Sequence, residues 1–435
     1  MKKPIHMMLA LLAVLSLFAA ACGSDSVTDV VDAAGDAADD AGDAIGDAAD
    51  DAGDAMDGAA NDAADAVDGA ANDAADDAAD AADDAADDAA DAADDAADAV
   101  DDAADDAMAD TEAGTVGLVY DIGGRGDLSF NDSAAAGLER AAAELGYEFS
   151  EASPNNDGSD RAELLQSAAE ANDIVLAVGF LFAGDAKSAA DANPDTRFAV
   201  IDDGMFGDNA GDNIAGLTFA EEQGSFLVGA AAALKSETGK VGFIGGVCCF
   251  GLIEKFEAGF RQGALAVDPD IEFVTQYITD APDFAGFNQP DQAKVIATTM
   301  YEDGADIIYH AAGGAGNGMF AAAQEYSEDN GTKVWGIGVD SDQYNTIGTV
   351  DESLQEYVLT SMLKRVDTAV FEILKAQADG TFAPGTQVYD LSVDGVGYST
   401  TGGYVDDIVD QLDAFKADII AGDIVVSTDP TTAGG

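Results

Sequence analysis

Val116-Gly-Leu-Val-Tyr120 runs into Asp121, and the residues that follow place Leu138, Ala141, Ala142 and Leu145 at helical spacing. A short, uninterrupted apolar run with no polar alternation reads as a strand buried on both faces, and the stripe after it reads as the helix covering that strand. The unit then repeats. Strand candidates follow at 147–151, 174–178, 198–201 and 214–219, then a helix rich in small residues from Gly224 to Leu234 ending at Ser236-Glu-Thr-Gly239. A second series opens at Lys240-Val-Gly-Phe-Ile-Gly245 and continues with strands at 273–278, 306–309, 334–339 and 358–362, with helices at 254–266 and 289–302 between them. Strand and helix in steady alternation predict an α/β fold in which helices cover a parallel sheet. Two such series predict two doubly wound lobes, lobe 1 over about 114–238 and lobe 2 over about 239–364. After Lys364 a helix at 365–379, a strand at 387–393 and a helix at 405–421 are expected to return to lobe 1, so that lobe 1 also holds 365–435. The chain then crosses between lobes more than once, forming a hinge, and ligands of open α/β sheets sit beyond the carboxyl ends of the strands.

Ahead of this domain lie two segments of another kind. Lys2 and Lys3, an apolar run from Met7 to Phe18 and the small residues Ala19, Ala20 and Ala21 before Cys22 have the form of a signal peptide over 1–21. Small residues directly before a cysteine suit lipoprotein processing, which leaves a lipid on the Cys22 thiol and begins the mature chain there. The usual leucine three residues before the cysteine is replaced by Ala19. From Val27 to Ala113 the chain is nearly all Ala, Asp and Gly, with 31 Asp, one Glu and no Lys or Arg. Its eleven-residue repeat is plain in Met56-Asp-Gly-Ala-Ala-Asn-Asp-Ala-Ala-Asp-Ala66 and the similar segment from Val67 to Asp77. Eleven residues make nearly three helical turns, but Asp is a poor helix former and like charges extend a chain. The expectation for 22–113 is therefore a solvated stalk, reaching about 130 Å if helical or about 50 Å as a coil. Its acids lack the ligand pattern of an EF-hand.

The whole chain carries 86 acidic and 17 basic residues. Leaving out the 33 acids and two lysines up to Glu112 gives 53 acids and 15 bases for the remainder, a net charge of −38. No basic patch is available for phosphates, which excludes nucleic acid as a partner. After Cys22 the only cysteines are the adjacent Cys248 and Cys249, read as two small apolar residues in a turn, because neighbours can close only a vicinal disulfide. His310 is the single histidine of the mature chain, too few for zinc, and a Ser-His-Asp triad would have to use it. The expectation is no catalytic residue, no metal and no cofactor. Polar residues at strand ends are the better candidates: Asp121, Asp202 and Asp203, Tyr309 and His310 before Gly313-Gly-Ala-Gly-Asn-Gly318, and Asp340. A carboxylate accepts two hydrogen bonds from a sugar diol, and glycines admit a ligand to backbone N–H groups; the competing role for each Asp is to cap the next helix. The glycine turn lacks the Gly-Lys-Ser/Thr ending of a nucleotide P-loop.

Seven ordered motifs carry a resemblance: Asp127-Leu-Ser-Phe-Asn131, Phe198-Ala-Val-Ile-Asp202, Glu222 to Lys235, Lys255-Phe-Glu-Ala-Gly-Phe260, Ala312 to Gly318, Gly338-Val-Asp-Ser-Asp-Gln343 and Leu359-Thr-Ser-Met-Leu-Lys-Arg365. Over about 115–427 the chain resembles the basic membrane protein family of substrate-binding lipoproteins, which includes purine nucleoside receptors of ABC transporters. The resemblance implies a type I periplasmic-binding-protein-like fold and an extracytoplasmic lipoprotein that serves ABC permease subunits. It further implies that Phe130 and Tyr309, where the family usually has Phe, sandwich a purine. Asn131 and Asp202 would then read the base edge, Asp340 and Lys364 hold the ribose hydroxyls, and Gly313 and Gly314 meet the 5′ side. A surface sensor on a long stalk, not coupled to uptake, is the alternative; a nucleoside hydrolase would need clustered acids with a metal.

Overall fold

The structure, a computed structural model, describes residues 113–155 and 157–433. The expected signal peptide at 1–21, Cys22 and all but the last residue of the stalk lie outside the described residues.

Two six-stranded sheets organise the domain. The first is built from β1 (Thr115–Val119), β2 (Glu148–Ala152), β3 (Ile174–Ala177), β4 (Arg197–Ile201), β5 (Ile214–Phe219) and the late strand β11 (Gly385–Tyr389), in the order β11-β5-β4-β3-β1-β2 and parallel throughout. Helices α1 (Phe130–Leu145), α2 (Arg161–Ala171) and α3 (Ala183–Ala192) connect its strands. The second holds β6 (Lys240–Cys248), β7 (Glu272–Asp280), β8 (Ile307–Ala311), β9 (Trp335–Asp340), β10 (Val358–Lys364) and β12 (Val396–Tyr398), in the order β12-β10-β9-β8-β6-β7. Only β12 runs antiparallel. Its helices are α4 (Glu221–Lys235), α5 (Ile253–Val267), α6 (Pro290–Glu302), α7 (Asn317–Asn330) and the short α8 (Gln343–Gly348). The chain closes with α9 (Val366–Ala378) and α10 (Val409–Ala421).

Central strands are apolar without alternation because helices cover both faces. In β3 every residue is buried, Ile174 and Leu176 joining one core cluster and Val175 and Ala177 another. Two expectations need correcting. The helix after β5 was assigned to lobe 1, but α4 packs along α5 and against β10 and β12 of the second sheet. Its Gly229 lies on the Phe260 carbonyl, while Gly259 and Gly263 of α5 lie on the carbonyls of Glu222 and Phe226. Glycines on both helices let the backbones approach at a distance that larger side chains forbid, which binds α4 to the second lobe. Likewise 365–435 does not return wholly to lobe 1: α9 packs on α1 and β11 joins the first sheet, but β12 joins the second. The chain thus passes between the sheets three times, near Ala220, Arg365 and 389–396. The passages are tied together, Ala220 N–H donating to the Tyr389 carbonyl at 3.0 Å and Arg365 N–H to the Gly395 carbonyl at 2.9 Å.

A cleft at the carboxyl ends of both sheets

The carboxyl ends of β1, β4, β8, β9 and β10 converge on one cleft, lined by Asp121, Asp127, Phe130, Asn131, Phe180, Asp202, Phe256, Phe287, Ala311, Ala312, Gly313, Gly314, Asp340 and Lys364 among others. Seven of the eight ligand residues expected from the sequence therefore meet there.

The polar floor is a row of charges. Lys364, only 2% exposed at the end of β10, donates from Nζ to Asp202 Oδ2 at 2.7 Å and lies 3.7 Å from Glu221 Oε1. Burial acts against its charge, yet Asp202, Glu221 and Asp340 together hold the ammonium above the ordinary lysine range. Its Nζ also stands 4.8 Å from the Phe130 ring centre and 5.7 Å from that of Phe256. Asp202 and Asp340 adopt φ of 68° and 64°, a left-handed backbone that is uncommon outside glycine and that concentrates at functional sites. Asp340 Oδ2 accepts from Ser129 Oγ at 2.7 Å. Burial pushes its carboxyl up to about 6 against the pull of Lys364 and Ser129, and pushes Asp121 up to about 7. Asp202 Oδ1 is buried and accepts no hydrogen bond from the described residues.

Two expected roles do not match the geometry. Tyr309 is fully buried and does not reach the cleft; its ring packs on Phe243 and Phe260 at 5.6 and 5.2 Å, and its hydroxyl lies 3.1 Å from Ser225 Oγ. The reason is position along β8: Tyr309 pairs with Phe243 in the sheet's interior, and the strand meets the cleft two residues later, at Ala311 and Ala312. Asn131 lines the cleft but its amide is engaged elsewhere, Oδ1 accepting from the Asp121 N–H at 2.9 Å and Nδ2 donating to Asp127 Oδ2 at 3.0 Å. Asp127 in turn accepts from the N–H groups of Ser129, Asn131 and Asp132 and caps α1. His310 is buried beside Gln343, its Nε2 lying 2.7 Å from Gln343 Oε1.

Sequence reasoning missed Phe180, Phe256 and Phe287. Phe256 stands inside a motif already singled out, whereas Phe180 and Phe287 sit in single turns of 3-10 helix with no periodic signal. Phe180, from the first lobe, stacks at 4.8 Å on Phe250 of the second. The turn before Phe250 is a further correction: Cys248 and Cys249 are joined in a vicinal disulfide, with Cys249 at φ 77° closing the bend that brings the two sulfurs together.

A family model described as "ABC transporter substrate-binding protein PnrA-like" matches residues 115–429, the whole of both sheets. The chain belongs to this family of ABC transporter substrate-binding proteins. Among relatives of the PnrA-like chain, the CD4+ T-cell-stimulating antigen of Listeria innocua is 36% identical, over 73% of this chain and 88% of that protein. The ABC transporter nucleoside-binding protein BmpA of Lactococcus lactis is 34% identical, over 71% and 88%. Among solved structures, an ABC transporter solute-binding protein of Aeropyrum pernix superposes with a TM-score of 0.62 at 27% identity, covering 73% of this chain and 95% of that one. The PnrA-like domain is thus a two-lobed substrate-binding fold, and its family membership implies a small-molecule ligand and transporter subunits as partners.

Proposed function

We propose that this substrate-binding protein captures a purine nucleoside, or a solute of the same shape and polarity, between its lobes and delivers it to an ABC permease on the extracytoplasmic face of the membrane. A lipid on Cys22 would hold it there. The carrying observation is one cleft in which aromatic faces stand over a buried row of Asp202, Lys364 and Asp340. A planar base needs the first, and ribose hydroxyls need adjacent acceptors and a donor. Phe130 supplies one face, and Phe256 and Phe287 replace Tyr309 as candidates for the other. Asp340 and Lys364 take the ribose, while Asp202 Oδ1 is an acceptor left free for the base edge. Gly313 and Gly314 open the 5′ side, and Asn131 holds the loop that carries Phe130. The Lactococcus lactis relative, a nucleoside-binding protein by name, is in keeping with this ligand.

Thermal unfolding of the purified mature protein against a panel of nucleosides and free sugars tests the reading. Inosine, guanosine or adenosine should raise the midpoint and ribose alone should not, and Phe130→Ala should abolish the shift. A flat response to every nucleoside overturns the ligand. We expect no turnover of inosine or guanosine; release of free base would overturn the non-enzymatic reading.

A further inference from the structure

The loop between β1 and α1 is held by the opposite lobe in a manner that ligand contact does not explain. Three consecutive carbonyl oxygens accept hydrogen bonds from second-lobe side chains. Asn317 Nδ2 donates to the Asp127 carbonyl at 2.9 Å, Thr346 Oγ1 to the Leu128 carbonyl at 2.9 Å, and Ser341 Oγ to the Ser129 carbonyl at 2.8 Å. Gln343 Nε2 adds a second bond to Leu128 at 3.3 Å. Between these bonds the Leu128 side chain packs against a core cluster whose buried members, Ile244, Ile308, Met319 and Ile347 among them, all belong to the second lobe. Leu128 takes φ 60°, a conformation that its Cβ disfavours and that persists only where surroundings enforce it.

We infer that Asp127-Leu128-Ser129 is a clasp by which the second lobe grips the first, and that Leu128 is its positioning residue: it touches no expected ligand atom but sets how long the cleft stays shut. The same loop presents Phe130 to the cleft and is braced from the first-lobe side by Asn131. Ligand seated on Phe130 and clasp engaged by Leu128 are therefore coupled through two peptide units, and whatever releases Leu128 withdraws Phe130. A bond that exists only when the lobes meet slows departure without hastening arrival, so the clasp acts on the dissociation rate. This kinetic consequence rests on the nucleoside reading, but the clasp does not.

The test compares the mature protein with Leu128→Gly, Thr346→Val and Ser341→Ala. Glycine removes the anchor while accepting the positive φ, so loss of fold is not the expected outcome, and the other two remove one donor each. Stopped-flow with inosine should give dissociation about 10-fold faster in Leu128→Gly, less in the other two, with association within about twofold of the parent. Dissociation unchanged in all three overturns the clasp. Hydrogen exchange read by mass spectrometry on segments 121–132 and 339–347 of the ligand-free proteins supplies a measure that needs no ligand. Faster exchange in the variants supports the clasp even if no nucleoside binds the parent, and equal exchange overturns it.

Discussion

Lys364 and Asp121 show how a mostly acidic chain builds a polar cleft. Lys364 is one of few bases and is spent on a buried position among three carboxylates, where its charge offsets part of the cost of burying them. Asp121 has the Ile122 N–H at 2.8 Å and the Arg161 guanidinium 3.9 Å away to favour its charge, yet burial outweighs both and raises its carboxyl to about 7. A carboxyl raised on folding holds its proton in the folded state over a range where the unfolded chain, titrating near 3.8, has released it. Unfolding free energy from this group therefore falls as pH rises from about 4 to 7 and is level above that. His310, lowered to about 4 by burial, works in the opposite sense, its contribution being lost as pH falls from 6.5 towards 4. The Asp121 effect is isolated by difference: the parent should lose stability relative to Asp121→Asn as pH rises from 4 to 7 in urea titrations. A difference that is level or rises through that window would exclude the shift.

At the scale of elements, the α4–α5 pair is where the sequence spoke most clearly and was most misplaced. Small residues marked α4 as a tightly packed helix, but tightness does not name the partner, and the partner is α5 of the second lobe, met through Gly229, Gly259 and Gly263. Gly263→Ala would place a methyl on the Phe226 carbonyl and force the helices apart, at a cost of about 3 kcal/mol, read as a lower denaturant midpoint. Because α5 carries Phe256 and α4 carries Glu221, affinity for the ligand of the cleft should fall with it; unchanged stability would show that the helices can slide. The central strands were legible because burial on both faces writes continuous apolar runs; the exposed edge strands β2, β7 and β11 carry a weaker signal, and all strands but the three-residue β12 were anticipated. Strand-end acids were legible because strand ends face the cleft. Tyr309 misled because adjacency to the glycine turn in sequence is not adjacency to the cleft when two more strand residues intervene, and Phe180 and Phe287 were invisible because a single turn of 3-10 helix has no period to read.

At the scale of the whole molecule charge dominates. A net −38 on the residues from Ala113 onward repels itself, and salt weakens that repulsion, since the screening length falls from about 10 Å at 0.1 M to about 3 Å at 1 M. The thermal midpoint should therefore rise between 0.1 and 1 M sodium chloride by at least about 1.5 °C, the shift that ~1 kcal/mol produces in a domain of this size at about 2.1 cal/mol/K of unfolding entropy per residue. A midpoint that holds steady or falls would show that the acids are already neutralised by local partners.

The three tied passages between the sheets carry a mechanical consequence. The middle passage, 389–396, is bonded to the other two, so none of the three can shift without drawing on its neighbours, and any rotation of one lobe against the other must bend all three together.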